Sequence, residues 1–509
     1  MFLGKVVSDF AMAVSSILVA RLLGAEIFGI AGVALIPAET FALFANIGIT
    51  AAMTRFSAFY RSQDNNREAM NYVFTGVSTQ ILIGLLLSAM AFVTATPLAE
   101  YVFHSPELST LFQVASPSVL LNSLSLSCQA AFVGFGKMKL YSATLIIHAL
   151  LKTSLAPLLA VMGYGALGVV SANIVSAAVS SLLSLALVYA KLTDTSNSTP
   201  RSGPSAGRLR NMVSYGLPLF VSGLLGGAAN QIYRFLMAVS CSELSIGNYL
   251  VATKFSVLIA FFTMPIATVL FPAFSGVDRR TDSESLGTVF RNSVKYTALT
   301  ALPIVSILAV LSTSLILLLY GEGYSEAPLY LALFALSNAF VGLGGLSIGS
   351  LFNGQGMTRS TMLLNVIGLA TGAPLAFYLI PRLQIVGLLA TQILAQVPVV
   401  IAANVMLKSS FGLALDWDSA LKVHVSAIAS ALIVFAVQDR LLPRAGIYFF
   451  AGVALFALLY ALLLVVLRGV TRDDLRTLGS LFSQLGPIST IINVVLRFAH
   501  RLLDVLQRE

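Results

Sequence analysis

Fourteen stretches of about twenty apolar residues run through this chain, and a segment of that length and character has few places to go. They centre on roughly 4–21, 27–50, 72–95, 111–133, 141–162, 166–190, 213–237, 247–271, 296–320, 328–351, 361–380, 384–406, 420–437 and 446–467. A helix needs about 20 residues to cross the hydrocarbon core of a bilayer, and there each segment must pair its own backbone N–H and C=O groups. Composition closes the alternatives. Of 509 residues, 57% are hydrophobic and 10% charged, against about 25% charged in soluble proteins. Such a chain cannot cover a water-facing surface, which excludes a soluble multidomain enzyme, a disordered chain and a nucleic-acid binder. The expectation is an all-α integral membrane protein with about 14 transmembrane helices. Met1–Arg21 reads as a retained first span, because Asp9 interrupts its apolar stretch and no convincing cleavage pattern follows.

The net charge of +9 describes orientation. With an even span number and a cytoplasmic N-terminus, 23 of the 30 Lys and Arg fall in cytoplasmic segments. Only Arg21, Arg382, Arg440 and Arg444 lie in outer loops, and Lys152, Arg234 and Lys254 fall within spans. This is the positive-inside pattern, expected of a multi-pass cell-membrane protein with both termini cytoplasmic. It calls for no nucleic acid. Cys128 and Cys241 make no disulfide framework, and four scattered histidines make no metal-ligand spacing. Neither metal nor cofactor is expected.

The longest polar break, 192–210, is rich in Ser, Thr, Pro and Gly and falls after the sixth span. That position suggests a duplication, and the chain matches itself at a steady offset. Phe28-Gly29 falls on Ile246-Gly247 and Phe56-Ser57 on Phe274-Ser275 at offset 218. Gly165-Ala166-Leu167-Gly168 falls on Gln384-Ile385-Val386-Gly387 at 219, and Phe135-Gly136-Lys137 on Gln355-Gly356-Met357 at 220. Six spans per repeat send both halves into the membrane in the same direction, as in transporters built from parallel repeats. The expected organisation is a six-helix lobe over 1–191, a cytoplasmic linker over 192–211 and a second six-helix lobe over 212–408. Two further transmembrane helices over 409–470 and a cytoplasmic amphipathic tail over 471–509 complete it. Within the tail, 487–508 has the pattern of an interfacial helix on the anionic inner leaflet.

Several of these segments carry a resemblance. Ala20-Arg21-Leu22-Leu23-Gly24-Ala25-Glu26-Ile27-Phe28-Gly29 resembles the signature after the first helix of polysaccharide transporters. Asn46-Ile47-Gly48-Ile49-Thr50-Ala51-Ala52-Met53-Thr54-Arg55-Phe56 is similar to that family's stretch at the end of helix two. Gly134-Phe135-Gly136-Lys137 and Asn353-Gly354-Gln355-Gly356 look like its G-x-G-K turns. The pattern covers about 1–470 and places the chain with the Wzx-like oligosaccharide flippases, in the superfamily of multidrug, oligosaccharidyl-lipid and polysaccharide flippases. The resemblance implies a two-lobe bundle that moves a polyprenyl-linked oligosaccharide from the cytoplasmic to the outer leaflet by alternating access. The lipid II branch carries an Arg-Asp pair in helix one, where this chain has Ser15-Ser16, and this counts against a peptidoglycan precursor as cargo.

Ionisable side chains at membrane depth cost about 2.5–3.5 kcal/mol on insertion scales and mark functional positions. Here they are Asp9, Glu39, His148, Lys152, Arg234 and Lys254. For a lipid-diphosphate glycan, the expected substrate-binding residues are Arg234 as a bidentate donor, Asn230 on the same helix face, and Lys254 and Lys152 as point charges. Gln231 and Tyr233 beside them offer hydrogen bonds to sugar. Glu39, His148 and Asp9 are candidates for coupling H⁺ or Na⁺; Glu39 is equally a structural partner for Lys254, and Asp9 for Lys5. Arg55 marks the cytoplasmic end of helix two and is mostly a topology anchor, with contact to an incoming phosphate as the alternative. A monomer in contact with membrane lipids is expected. The outer-loop acids are isolated and no nucleotide-binding loop is present, so an enzyme is not expected. The alternative is a cation-coupled multidrug exporter of the same superfamily, whose cleft would be more acidic and aromatic.

Overall fold

The computed structural model describes residues 2–192, 205–277, 282–441 and 448–482, with 497, 499, 500 and 503 beyond them. Most of the expected linker (192–211) and of the expected interfacial helix (487–508) lies outside the described residues. Among the described residues the regular elements are all helical. Ten helices among these residues are long and apolar enough to cross a membrane, or up to twelve when each of two bent pairs is one span.

The chain forms two compact units, Met1–Leu250 and Val251–Glu509. The first holds α1 (Phe2–Ala45), α2 (Ile49–Ser62), α3 (Asn66–Pro97), α4 (Leu108–Ala115), α5 (Ser118–Gly134), α6 (Met138–Val161), α7 (Gly165–Leu187), α8 (Ala206–Ser240) and most of α9 (Glu243–Thr253). The second holds α10 (Ser256–Ser275), α11 (Ser283–Val310), α12 (Ser312–Tyr320), α13 (Ala327–Ser337), α14 (Gly345–Gly354), α15 (Thr358–Phe411), α16 (Trp417–Leu441), α17 (Tyr448–Val466) and α18 (Arg472–Phe482). By sequence repeat α8 belongs to the second half, yet it packs with the first unit.

Several expected spans are broken or bent helices, among them 296–320, which breaks at Leu311 between α11 and α12. The stretch 27–50 ends at Ala45 and restarts at Ile49, after Gly48 in the left-handed region. The stretch 247–271 breaks at Lys254-Phe255, between α9 and α10, and 111–133 breaks between α4 and α5. The stretch 328–351 bends by 49° between Leu343 and Gly345. Conversely, α1 and α15 each run through two expected spans. Gly24 (φ 76°, ψ 171°) splits α1 and Gln384 (φ 51°, ψ −130°) splits α15, leaving pieces of about 30–40 Å at 1.5 Å per residue. Either piece spans a hydrocarbon core.

In the first unit, α2, α3, α5 and α8 close around Met53, Met70, Tyr72, Cys128, Phe132 and Met212, each 2% exposed or less. Gly76 on α3 makes room for the Met53 sulfur and the Met212 methyl. In the second, Leu302, Leu311, Val423, Phe456 and Tyr460 pack with Leu475 and Leu478 of α18. Asp474 fastens α18 by accepting from Lys295 Nζ at 2.6 Å, Thr471 N at 2.7 Å and Thr471 Oγ1 at 2.8 Å. Burial raises the Asp474 carboxyl, but these hydrogen bonds outweigh it and hold the group below its ordinary value.

The duplication is visible as repeated local geometry. After α5 and after α14, Gly136 (φ 69°) and Gly356 (φ 73°) take the left-handed conformation. Lys137 (φ −85°, ψ 57°) and Met357 (φ −85°, ψ 52°) then open the next helix. Both turns close the same way, Lys137 N donating to Phe132 O at 2.8 Å and Met357 N to Phe352 O at 2.7 Å. Gly165 (φ 53°) and Gln384 (φ 51°) also correspond. Three residues on, Gly168 and Gly387 pack closely against Leu159 and Leu379 in the helix before.

At Gln384 the second repeat puts a side chain on a backbone that favours glycine, a strain of about 1–3 kcal/mol. Gln384→Gly is expected to raise the unfolding midpoint in detergent, by a gain of about 1 kcal/mol. An unchanged or lower midpoint would show that this backbone carries no strain.

Candidate functional site

Glu39 lies on the second piece of α1, two residues after Pro37, which cannot donate a backbone hydrogen bond to the preceding turn. Thr40 Oγ1 donates to Ile36 O at 2.8 Å and accepts from Gln231 Nε2 of α8 at 2.6 Å. One turn along α8, Arg234 Nη1 lies 2.5 Å from Glu39 Oε2. Gln231 and Arg234, spaced i and i+3, share a face of α8 and meet the adjacent pair Glu39 and Thr40. The charged side chains remain 41% and 39% exposed, so the pair is open on one side. The Glu39 oxygen accepts no aligned hydrogen bond, so the contact is one of charge and Arg234 keeps N–H donors for another acceptor. Asn230, one turn before Arg234, is exposed and its amide has no partner among the described residues. Tyr233 is 6% exposed and turns into the packing, so it does not line the site.

Glycine crossings hold these helices together. A Cβ on Gly48 would lie 2.0 Å from Gly216 O, and one on Gly216 would lie 2.5 Å from Gly48 O. At the other end of the same piece of α1, a Cβ on Gly29 would lie 1.9 Å from Glu243 O, and one on Gly247 would lie 1.8 Å from Ala25 O. Backbones meet at both crossings, and no side chain fits between them.

The other expected site residues lie elsewhere. Lys152 and His148 face α7, where Lys152 Nζ donates to Asn173 Oδ1 at 2.6 Å and His148 Nδ1 meets Ser180 Oγ at 3.3 Å. Lys254 is exposed in the break between α9 and α10, within the second unit. Asp9 is half-buried on α1. The partner found for Glu39 is Arg234, 195 positions away, where the sequence had suggested Lys254. Thr40 had not been singled out; its only signal was the proline three residues before it.

The chain matches the family model described as "Polysaccharide biosynthesis protein" over residues 18–328, and the one described as "Lipid II flippase MurJ" over 201–456. The succinoglycan biosynthesis transport protein ExoT of Rhizobium meliloti (strain 1021) is 28% identical over 335 residues, 64% of this chain and 62% of that protein. The chain therefore spans less than two thirds of this relative's length. Among solved structures, lipid II flippase MurJ in an inward closed conformation matches with TM-score 0.75 at 15% identity, covering 91% of this chain and 97% of that one. An inward-facing multidrug resistance MATE transporter of the MOP superfamily matches with TM-score 0.64 at 16% identity, covering 79% and 95%. At these identities the likeness is one of fold. The fold is shared with MurJ and MATE transporters, and the first family model alone takes in more than half of the sequence: the chain belongs to the polysaccharide biosynthesis protein family.

Proposed function

We propose that this protein is a flippase that carries a polyprenyl-diphosphate glycan from the cytoplasmic to the outer leaflet of the cell membrane. The observation that carries the reading is the open Arg234–Glu39 pair, with Asn230 beside it on α8. A guanidinium with free donors suits the paired oxygens of a diphosphate, and neighbouring amides suit sugar hydroxyls. Arg234 and Asn230 bind the head of the cargo, with Lys254 and Lys152 adding positive charge, and the prenyl tail stays in lipid. Glu39, His148 and Asp9 are the groups through which H⁺ or Na⁺ drives the cycle. Family membership and the relative named for succinoglycan transport support a cargo of this class. Ser15-Ser16 in the first helix argues against lipid II as that cargo.

In this reading the two pieces of α1, the two pieces of α15 and the bent or broken helices make fourteen crossings. Two lobes, joined in sequence by the polar break 192–211, alternate access, and both termini are cytoplasmic. The protein works as a monomer and makes no covalent change to its cargo. The fold is equally that of multidrug exporters, which remain the second reading.

Mass spectrometry of membrane extracts, with and without the gene, tests this. One polyprenyl-diphosphate glycan is expected to accumulate without the protein and to stay on the cytoplasmic face. An unchanged pool accompanied by new sensitivity to cationic drugs would transfer the assignment to an exporter.

A further inference from the structure

Arg55 sits on α2 in a setting unlike that of the other basic residues near it. Its guanidinium carbon lies 4.2 Å from the centroid of the Tyr215 ring on α8 and 5.6 Å from that of Phe56. Behind it stands a column of rings. Tyr215 meets Phe56 edge-on at 5.9 Å, Phe56 stacks on Tyr72 at 4.8 Å, and Tyr72 stacks on Tyr60 at 5.3 Å. Asn211 Nδ2 fixes the Tyr72 hydroxyl at 3.2 Å. Rings from α2, α3 and α8 thus form a rigid shelf with a cation on its last member.

Glu68, Arg208 and Arg61 nearby are committed. Glu68 pairs with Arg208 at 2.8 Å, and Arg61 Nη1 donates to Gly134 O at 3.3 Å, capping the end of α5. Arg55 itself is exposed and has neither an ion-pair nor a hydrogen-bond partner among the described residues. Its donors are unoccupied, while stacking has already removed much of the freedom an arginine loses on binding. A structural anchor would satisfy its donors; this residue keeps them open.

Sixteen residues separate Arg55 from Glu39, the partner of Arg234, across the break between α1 and α2 where the Gly48–Gly216 crossing lies. We propose that Arg55, held on Tyr215, is a first docking site for a phosphate-type dianion at the cytoplasmic end of α2, taking the diphosphate of the cargo before it reaches Arg234. This rests on the flippase reading, since it names the entry point for the same cargo. The chemistry fits both a prenyl diphosphate and an anionic lipid headgroup, and the diphosphate is favoured because five donors in a planar fork exceed what one phosphodiester uses.

Titration of the purified full-length protein in neutral detergent, with farnesyl diphosphate and separately with dioleoylphosphatidylglycerol, tests the site by native mass spectrometry. Arg55→Gln is expected to weaken farnesyl diphosphate about tenfold or more, with phosphatidylglycerol occupancy little changed. Arg55→Lys should fall between, because an ammonium keeps the charge and loses the fork. Tyr215→Leu should weaken the diphosphate about threefold by releasing the guanidinium from its shelf. If Arg55→Gln binds farnesyl diphosphate like the wild type while Arg234→Ala does not, the docking site is overturned and the flippase reading stands. If Arg55→Gln loses phosphatidylglycerol alone, Arg55 is a lipid anchor and the proposal fails. Wild-type protein that binds no farnesyl diphosphate overturns both.

Discussion

Alanine at Arg234 is expected to lower transport about a hundredfold or more, the scale of losing a bidentate charge-assisted contact, while the protein still reaches the membrane. The pair it forms with Glu39 is partly exposed on both sides, so its removal costs little folding energy compared with a buried pair. A double variant separates the roles. Glu39→Gln with Arg234→Gln leaves no unpaired charge and keeps hydrogen-bonding groups on both helices. If the pair only joined α1 to α8, the double variant would bind farnesyl diphosphate as the wild type does, a readout that the coupling role of Glu39 does not enter. The expected result is that binding stays lost. Wild-type binding by the double variant would remove Arg234 from the binding site.

Alanine at Gly29 or Gly247 is expected to be the most damaging small substitution for the fold. Each added Cβ would sit within 2 Å of a carbonyl oxygen in the opposite helix, so the backbones themselves must part. Overpacking of this kind costs about 1–3 kcal/mol, and occasionally more; the upper end applies because no flexible side chain is there to yield. The measurement is the unfolding midpoint in detergent with the yield of folded protein. Gly227→Ala on α8 is the control, since nothing lies within 4 Å of its added Cβ, and it should gain up to about 1 kcal/mol of helix propensity. Equal effects at Gly29 and Gly227 would show that helix propensity, and not the crossing, sets the response.

Much of this architecture was legible beforehand because the bilayer imposes it residue by residue. Hydropathy located the helices, and the offset of 218–220 anticipated the twin turns at Gly136 and Gly356, since a left-handed position favours glycine. Breaks inside the spans were less legible. Lys254-Phe255 carries no turn residue, and Gln384 occupies a glycine-like conformation without being glycine, so only its alignment with Gly165 hinted at the bend. The ionisable residues at membrane depth were countable from the sequence, but their partners were not. Glu39 met Arg234 because α8 packs against α1 in the first unit, an outcome of three-dimensional packing across 195 positions. The ring column behind Arg55 was invisible for the same reason, as it draws on three separate helices.

The pairing of Arg234 with Glu39 also bears on how such a carrier behaves in an energised membrane. Driving one uncompensated charge through the bilayer field changes its energy by about 2.3 kcal/mol per 100 mV. An empty carrier with a bare guanidinium would feel that field on every return stroke and would invite small anions to leak through. With the carboxylate 2.5 Å away, Arg234 is half of a neutral pair. In the proposed cycle its charge then adds nothing to the voltage dependence of the empty carrier's return, and it counts only once the cargo has displaced the carboxylate.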